Sequence, residues 1–182
     1  SCANLATVGT IGTGVWEGTA IATDQQKHLQ TFELKGYSTH DGTNYEIPMI
    51  MTDTNAPFEH NESTGSAGTT AIDVSKLLRA AGQVMPYAGT VKKWRGWAAG
   101  SGSGTTYIAL FKYTPDNSVT SDSLVLIDAA SFSVAGNNTV VAFDETSFTD
   151  ADIVAGDIII TGMKGVNGKT TYFTSTMEIE WD

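Results

Sequence analysis

The sequence predicts an all-β protein, an antiparallel jelly-roll β-sandwich that follows an extended N-terminal arm. The first observation is the C-terminal segment, where Phe173, Ser175, Met177, Ile179 and Trp181 alternate with Thr and Glu residues. Successive side chains of a strand point to opposite faces of its sheet, so this segment is expected to bury one face. The second observation is that similar short runs fill the C-terminal half, and no sustained helical period competes with them.

Composition limits the classes of function. The chain has 182 residues, a formal net charge of −10 and a pI near 4.5. An acidic surface repels a phosphate backbone, so we expect no nucleic-acid partner. No run approaches the roughly 18 apolar residues of a membrane span, so we expect no membrane partner either. Cys2 is the single cysteine, which leaves packing or assembly to stabilise the fold.

Residues 1–28 are predicted to form the N-terminal arm, and residues 29–182 the sandwich. The arm is rich in Gly and Thr, and Trp16 is its single large anchor. Such a segment cannot build a core alone, so it must become ordered against another surface. Trp16 is therefore the candidate docking residue, because Trp is the side chain best able to dominate a small contact.

The first strands are predicted over residues 31–37 and 45–51, in each of which apolar residues share a face. Pro48 places the second of them at a sheet edge or a bulge, because proline lacks an N–H donor. A short helix is predicted over residues 73–81, after a long polar loop, with Asp73 as its cap.

The remaining strands follow at short intervals, over residues 91–99, 105–113, 123–134, 139–144, 157–163 and 170–181. Gly- and Asn-rich segments at 100–104, 136–138 and 165–168 are predicted to be hairpin loops between them.

Two of these strand segments, residues 107–113 and 157–160, are apolar on both faces. An antiparallel sandwich normally exposes its outer faces to water, so apolar residues on both faces indicate that the outer one is covered. Cover by copies of the chain predicts an oligomer, with four candidate interface residues: Tyr107, Phe111, Tyr113 and Ile159. Cover by the N-terminal arm is the alternative.

No motif in the sequence predicts catalysis, and we expect the chain not to be an enzyme. Residues 162–170 end in Gly-Lys-Thr, but the spacing to the first Gly and the strand-to-strand context do not fit a P-loop. His28, His40 and His60 have no helical partner four residues away and no cysteine cluster, so we predict neither a metal site nor a cofactor.

Lys92, Lys93 and Arg95 form a local basic cluster in an otherwise acidic chain. The cluster fits a solvated strand face, and it also fits a contact with an acidic partner surface. The sequence leaves both interpretations open.

Several segments occur in a characteristic order, at residues 84–91, 93–97, 108–113, 155–157 and 172–180, with Phe148 before the fourth. With these segments in this order, the chain resembles small virion structural proteins of tailed phages, especially marine and cyanobacterial ones. Their domain looks like the jelly roll of the tumour-necrosis-factor (TNF) and C1q group. The resemblance covers about residues 30–182, and the arm lies outside it.

The resemblance implies a trimer of jelly rolls on the virion, without an enzymatic site. The chain has no heptads or repeats that would build a fibre shaft, and its short arm suits a position on a capsid. We therefore expect a capsid decoration or cement protein on the outer surface of the virion. Its expected partners are itself, as a homotrimer, and the major capsid protein, which the arm would contact through Trp16.

Two other functions stay open. One is the tip of a tail or head fibre, which would bind a receptor. The other is a carbohydrate-binding β-sandwich, which would use exposed aromatic residues such as Trp94, Trp97 or Tyr107 as a platform for a host surface glycan. A stable trimer in solution favours the virion function, and a monomer that binds sugar favours the carbohydrate-binding one.

Overall fold

The computed structural model describes residues 28–40, 42–43, 45–47, 62–63, 72–73, 82–116, 121–122, 124–136 and 139–182. The regular elements of these residues are thirteen β-strands: β1 His28–Thr39, β2 Glu46–Ile47, β3 Glu62–Ser63, β4 Ile72–Asp73, β5 Gln83–Val84, β6 Gly89–Gly100, β7 Gly104–Tyr113, β8 Ser121–Asp122, β9 Val125–Val134, β10 Thr139–Glu145, β11 Asp152–Ile153, β12 Ile158–Lys164 and β13 Thr170–Trp181. No helix among the described residues is long and apolar enough to cross a membrane.

Two antiparallel sheets form a jelly-roll sandwich, which confirms the predicted fold class. Sheet A has the strand order β1-β13-β6-β10, and β11 also pairs with β6. Sheet B has the order β3-β2-β12-β7-β9, and β5 also pairs with β12, while β4 and β8 form a separate ladder. The first long strand pairs with the last along its whole length, from His28 opposite Trp181 to Thr39 opposite Thr170.

The observed strands differ from the predicted elements at several of their ends. β1 begins at His28, so the last residue of the predicted arm belongs to the sandwich. Residues 1–27 lie outside the described residues. Asp73, the predicted cap, ends strand β4, and the rest of the predicted helix, residues 74–81, lies outside the described part of the chain. Pro48 also lies outside it.

The three Gly- and Asn-rich loops that the sequence predicts as hairpins are not hairpins. They join β6 to β7, β9 to β10, and β12 to β13, and each of these pairs is divided between sheet A and sheet B. Each loop therefore crosses the roughly 10 Å between two packed sheets. Turn residues indicate where the chain reverses, but they do not indicate which strand the strand after the turn will pair with.

The main core lies between the two sheets. Trp94 of β6 is fully buried, and its ring packs edge-on against Phe143 with the ring centroids 4.8 Å apart. The indole N–H of Trp94 donates to Ser175 Oγ at 3.1 Å, and that hydroxyl donates to the Leu34 carbonyl at 3.1 Å. These side-chain hydrogen bonds link β6, β13 and β1 inside the core, where water does not compete for them.

A second apolar cluster covers the outer face of sheet B. Its buried members are Tyr45, Ile47, Ala109, Phe111, Tyr113, Leu124, Ile158 and Ile160. The apolar outer faces of β7 and β12 are therefore buried within the single chain, in part under Tyr45, whose ring lies edge-on to Phe111 at 5.5 Å. This burial explains the two-sided apolar pattern without a neighbouring subunit.

Candidate interaction surface

The outer face of sheet A carries exposed apolar side chains at one end. Trp97 of β6 is 58% exposed, Val140 of β10 is 59% exposed and Tyr172 of β13 is 51% exposed. The strand register makes them neighbours, because Ala99 lies opposite both Tyr172 and Val140, two residues from Trp97 on the same strand. We call Trp97, Val140 and Tyr172 the sheet A patch. Apolar side chains grouped in this way commonly mark a binding surface.

Small neighbours make Trp97 project from the sheet. Its cross-strand partners are Thr174 on β13 and Ala142 on β10, so no bulky side chain stands opposite the indole on either strand. Tyr172 is held beside it by a stacked contact with Tyr37 of β1, with ring centroids 5.9 Å apart and planes at 24°. The patch is therefore a flat surface with one raised aromatic ring.

The other end of the same face is charged, and its charges pair within the chain. The ion pairs are Arg95 with Glu178 at 3.2 Å, Lys93 with Asp144 at 3.3 Å, Lys92 with Glu180 at 3.4 Å and Lys35 with Glu33 at 3.5 Å. The basic cluster of the sequence therefore lies on a solvated strand face with its own carboxylates. Exposed pairs of this kind contribute roughly 0–1 kcal/mol each, so they set the charge of the face more than the stability of the fold.

Three of the four predicted interface residues lie in or beside the cluster on the outer face of sheet B, and the fourth lies in the main core. Ile159 is fully buried between the two sheets, and Phe111 and Tyr113 are buried in the cluster on the outer face of sheet B. These three side chains have no exposed surface to offer a second subunit in this chain. Tyr107 is half-buried beside the same cluster. The trimer itself stays a prediction.

Lys164 joins Tyr107 to the cover of sheet B. Its ammonium lies 4.9 Å from the ring centroid of Tyr45 and 4.8 Å from that of Tyr107. Burial raises the pKa of Tyr45 above its ordinary value, and the nearby Tyr107 raises it further. Tyr45 therefore stays neutral at physiological pH, and the contact is a cation–π interaction that ties β2 to the sheet.

The structure places the remaining sequence candidates in different environments. Trp94 lies in the core and is unavailable as a sugar platform, whereas Trp97 is available. Trp16 and His60 lie outside the described residues. His40 is buried, and its Nε2 lies 2.8 Å from Thr171 Oγ1. Among the described residues, no group of three or more His, Cys, Asp or Glu side chains is arranged to hold a metal ion.

Glu145, at the end of β10, has a pKa above its ordinary value. Burial is the main cause, and the negative charges of Asp128 and Asp144 add to it. Ionisation of Glu145 is therefore less favourable in the folded chain than in the unfolded one, so it costs stability at every pH above the raised pKa. The cost disappears as the pH falls through the unfolded value of 4.5, because both states are then protonated.

We therefore expect Glu145→Gln to raise the midpoint of thermal unfolding at pH 7 and to leave it unchanged near pH 3. The measurement is a pair of melting curves for each protein at the two pH values. Glu178→Gln is the control, because that carboxylate pairs with Arg95 and its removal should give no gain. If Glu145→Gln were no more stable than the parent protein at pH 7, ionisation of Glu145 would not cost stability in the folded chain.

Comparisons with known proteins leave the family open. No protein-family model matches the chain, and no curated protein matches it in sequence. Among solved structures, it is similar to a protein of Bacillus endospore appendages, described as a family of disulfide-linked pili, at 12% identity and a TM-score of 0.40, over 91% of this chain and 99% of that one. It is also similar to the Eiger TNF of S. frugiperda, at 8% identity and a TM-score of 0.42, over 85% and 93% of the two chains. Likenesses at this level carry no argument about function.

Proposed function

We propose that this protein is a structural component of a tailed-phage particle, a decoration or cement protein that forms a homotrimer and clamps the major capsid shell from outside. It acts by binding and has no enzymatic step. The order of segments that resembles phage virion proteins supports the proposal. So does the single cysteine, which leaves no internal disulfide and makes burial between subunits a source of stability. The observation that carries it is the arrangement of apolar side chains where the predicted arm joins the sandwich.

Residues 1–27 precede β1, and the first residue of β1, His28, lies opposite Trp181 at the end of β13. The same end of the molecule exposes four large apolar side chains: Leu29 at 65%, Val84 at 63%, Tyr87 at 65% and Val154 at 53%. We call these four residues the docking end. Tyr87 lies edge-on to Trp181 at 5.9 Å, so the aromatic surface reaches the strand beside which the arm begins.

Leu29 of the docking end lies on β1, and its other three residues lie on two neighbouring segments that are tied together. The Gly156 N–H donates to the Met85 carbonyl at 2.8 Å, which ties the loop of Val154 to the segment that carries Val84 and Tyr87. The buried carboxylate of Asp157 accepts the Val154 N–H at 2.9 Å and the Thr114 hydroxyl at 2.6 Å. An apolar surface held in place beside a long, Gly-rich segment suits docking onto a larger body, because little conformational entropy remains to be lost there.

The test is a deletion of residues 1–24, compared with the full chain. We expect both proteins to sediment as trimers at micromolar concentration, and only the full chain to bind capsids from which decoration proteins have been removed. Trp16→Ala in the full chain should weaken capsid binding in the same direction. A chain that sediments only as a monomer would contradict the trimer, and a truncated protein that decorates capsids at full occupancy would contradict the docking arm.

A receptor-binding tip of a fibre is the second candidate, and the exposed Trp97 favours it. Imaging of the native particle separates the two positions. Density for the sandwich on the capsid shell supports decoration, and density at the end of a fibre supports the alternative.

A further inference from the structure

A groove crosses the outer face of sheet A beside the sheet A patch. It has a volume of about 490 Å³, and Trp97 forms one wall. Its lining also includes Ala142 and the row of Glu33, Arg95 and Asp144, which the strand register places two residues along the strands from Trp97. A smaller depression of about 280 Å³ lies on the opposite side of Trp97, next to Val140 and Tyr172. We propose that this groove, which we call the Trp97 groove, binds a sugar ring of a neutral glycan.

The chemistry of the walls suits a pyranose. One face of a pyranose ring is lined with C–H groups, which pack on an exposed aromatic ring, while its hydroxyl groups need polar partners at the edge. Trp97 supplies the aromatic face. The carboxylates of Glu33 and Asp144 accept hydrogen bonds from sugar hydroxyls, and the guanidinium of Arg95 donates them. An apolar wall and a polar row therefore face each other across one groove.

The charge of the face selects the class of glycan. Each cation of the charged end is paired with one carboxylate of the same sheet, in the four ion pairs described above. The face is therefore electrically balanced, although the whole chain carries a net charge of −10. An acidic sugar would be repelled by the protein as a whole and would find no unpaired cation among these residues. An uncharged hexose-containing glycan meets neither obstacle.

The size of the patch also favours a small ligand over a second copy of the chain. At the exposures of Trp97, Val140 and Tyr172, the sheet A patch presents on the order of 350 Å² of side-chain surface, taking roughly 150–250 Å² for each large side chain. A stable protein–protein interface buries roughly 800 Å² on each partner. The patch is too small for that, but it is large enough to stack one or two sugar rings. This inference does not depend on where the protein sits on a particle.

The test begins with a printed array of neutral and acidic oligosaccharides, probed with the full chain. We expect binding to neutral hexose-containing members. The strongest of them is then titrated against the protein by calorimetry. Trp97→Ala should weaken the affinity about tenfold or more, because it removes the stacking wall. Tyr87→Ala is the matched control, since it removes an equally exposed aromatic ring from the docking end and should leave the affinity unchanged.

A second variant tests the polar side of the groove. Asp144→Asn keeps the size of the side chain but removes the charge, and we expect it to weaken the same affinity severalfold. Both variants are checked by circular dichroism and by sedimentation. Three outcomes overturn the proposal: no neutral glycan binds at millimolar concentration, Tyr87→Ala weakens binding as much as Trp97→Ala, or Trp97→Ala dissociates an oligomer while no glycan binds to either protein.

Discussion

Replacing Trp94 with alanine is expected to lower the free energy of unfolding by about 3–5 kcal/mol, as for other large aromatic side chains removed from cores. Trp94 is fully buried between the sheets and packs against Phe143. Its removal leaves a cavity and takes away the donor to Ser175 Oγ, which lies on the neighbouring strand. Since small domains are stable by roughly 5–15 kcal/mol, the loss is a large share of the total. Urea unfolding followed by circular dichroism measures it.

Trp97 provides a control of the same residue type on the same strand. It points to solvent from the opposite face of β6, so Trp97→Ala should change the free energy of unfolding by no more than about 0.5 kcal/mol. Trp94→Phe with Ser175→Ala should recover part of the loss, because phenylalanine refills most of the cavity and no hydroxyl at position 175 is left without its donor. Equal effects of Trp94→Ala and Trp97→Ala would show that the assignment of their faces is wrong.

Gly96→Ala is expected to be the most damaging small substitution in sheet A. A Cβ atom at this position would lie 2.3 Å from the Thr174 carbonyl oxygen and 2.6 Å from Ser175 Cβ. The first of these atoms is backbone of β13, so a side-chain rotation cannot relieve the contact. The strands must separate instead, and we expect a loss of about 3 kcal/mol or more. The readout is the yield of soluble protein together with its urea midpoint.

Gly136→Ala is the matched control for that substitution. A Cβ atom at Gly136 would meet no heavy atom within 4 Å, so the change should stay within about 0.5 kcal/mol of the parent protein. If Gly96→Ala were as stable as Gly136→Ala, the close approach of β6 and β13 at this point would be incorrect.

The sequence located the long strands well because their alternation is a local property, whereas the two-residue strands β3, β4, β5, β8 and β11 are too short to show one. β13 and β7 begin and end within about one residue of the predicted bounds, since a period of two is imposed by the strand itself. The pairing of the strands could not be predicted in this way. Each Gly-rich loop marks a reversal, yet whether the next strand joins the same sheet or the facing one depends on contacts that are distant in sequence.

The candidate surfaces were harder to predict for the same reason. Trp94 and Trp97 are three residues apart, so they point to opposite faces of β6, but only the packing of sheet A against sheet B decides which of them faces water. The register also brings Val140 and Tyr172 to Trp97 from two other strands. Apolar residues on both faces of β7 correctly indicated a covered outer face, but the cover lies within the chain.

The position of β13 has a consequence for how the protein is made. β13 lies between β1 and β6 in sheet A, yet it is the last strand of this sequence to leave the ribosome. Until then, among the strands that the structure describes, β1 has no pairing partner and one side of β6 stays open. Pairing between distant segments makes folding slow, and unpaired strand edges invite aggregation in the meantime. We therefore expect the sandwich to close only after synthesis of the strand that completes it.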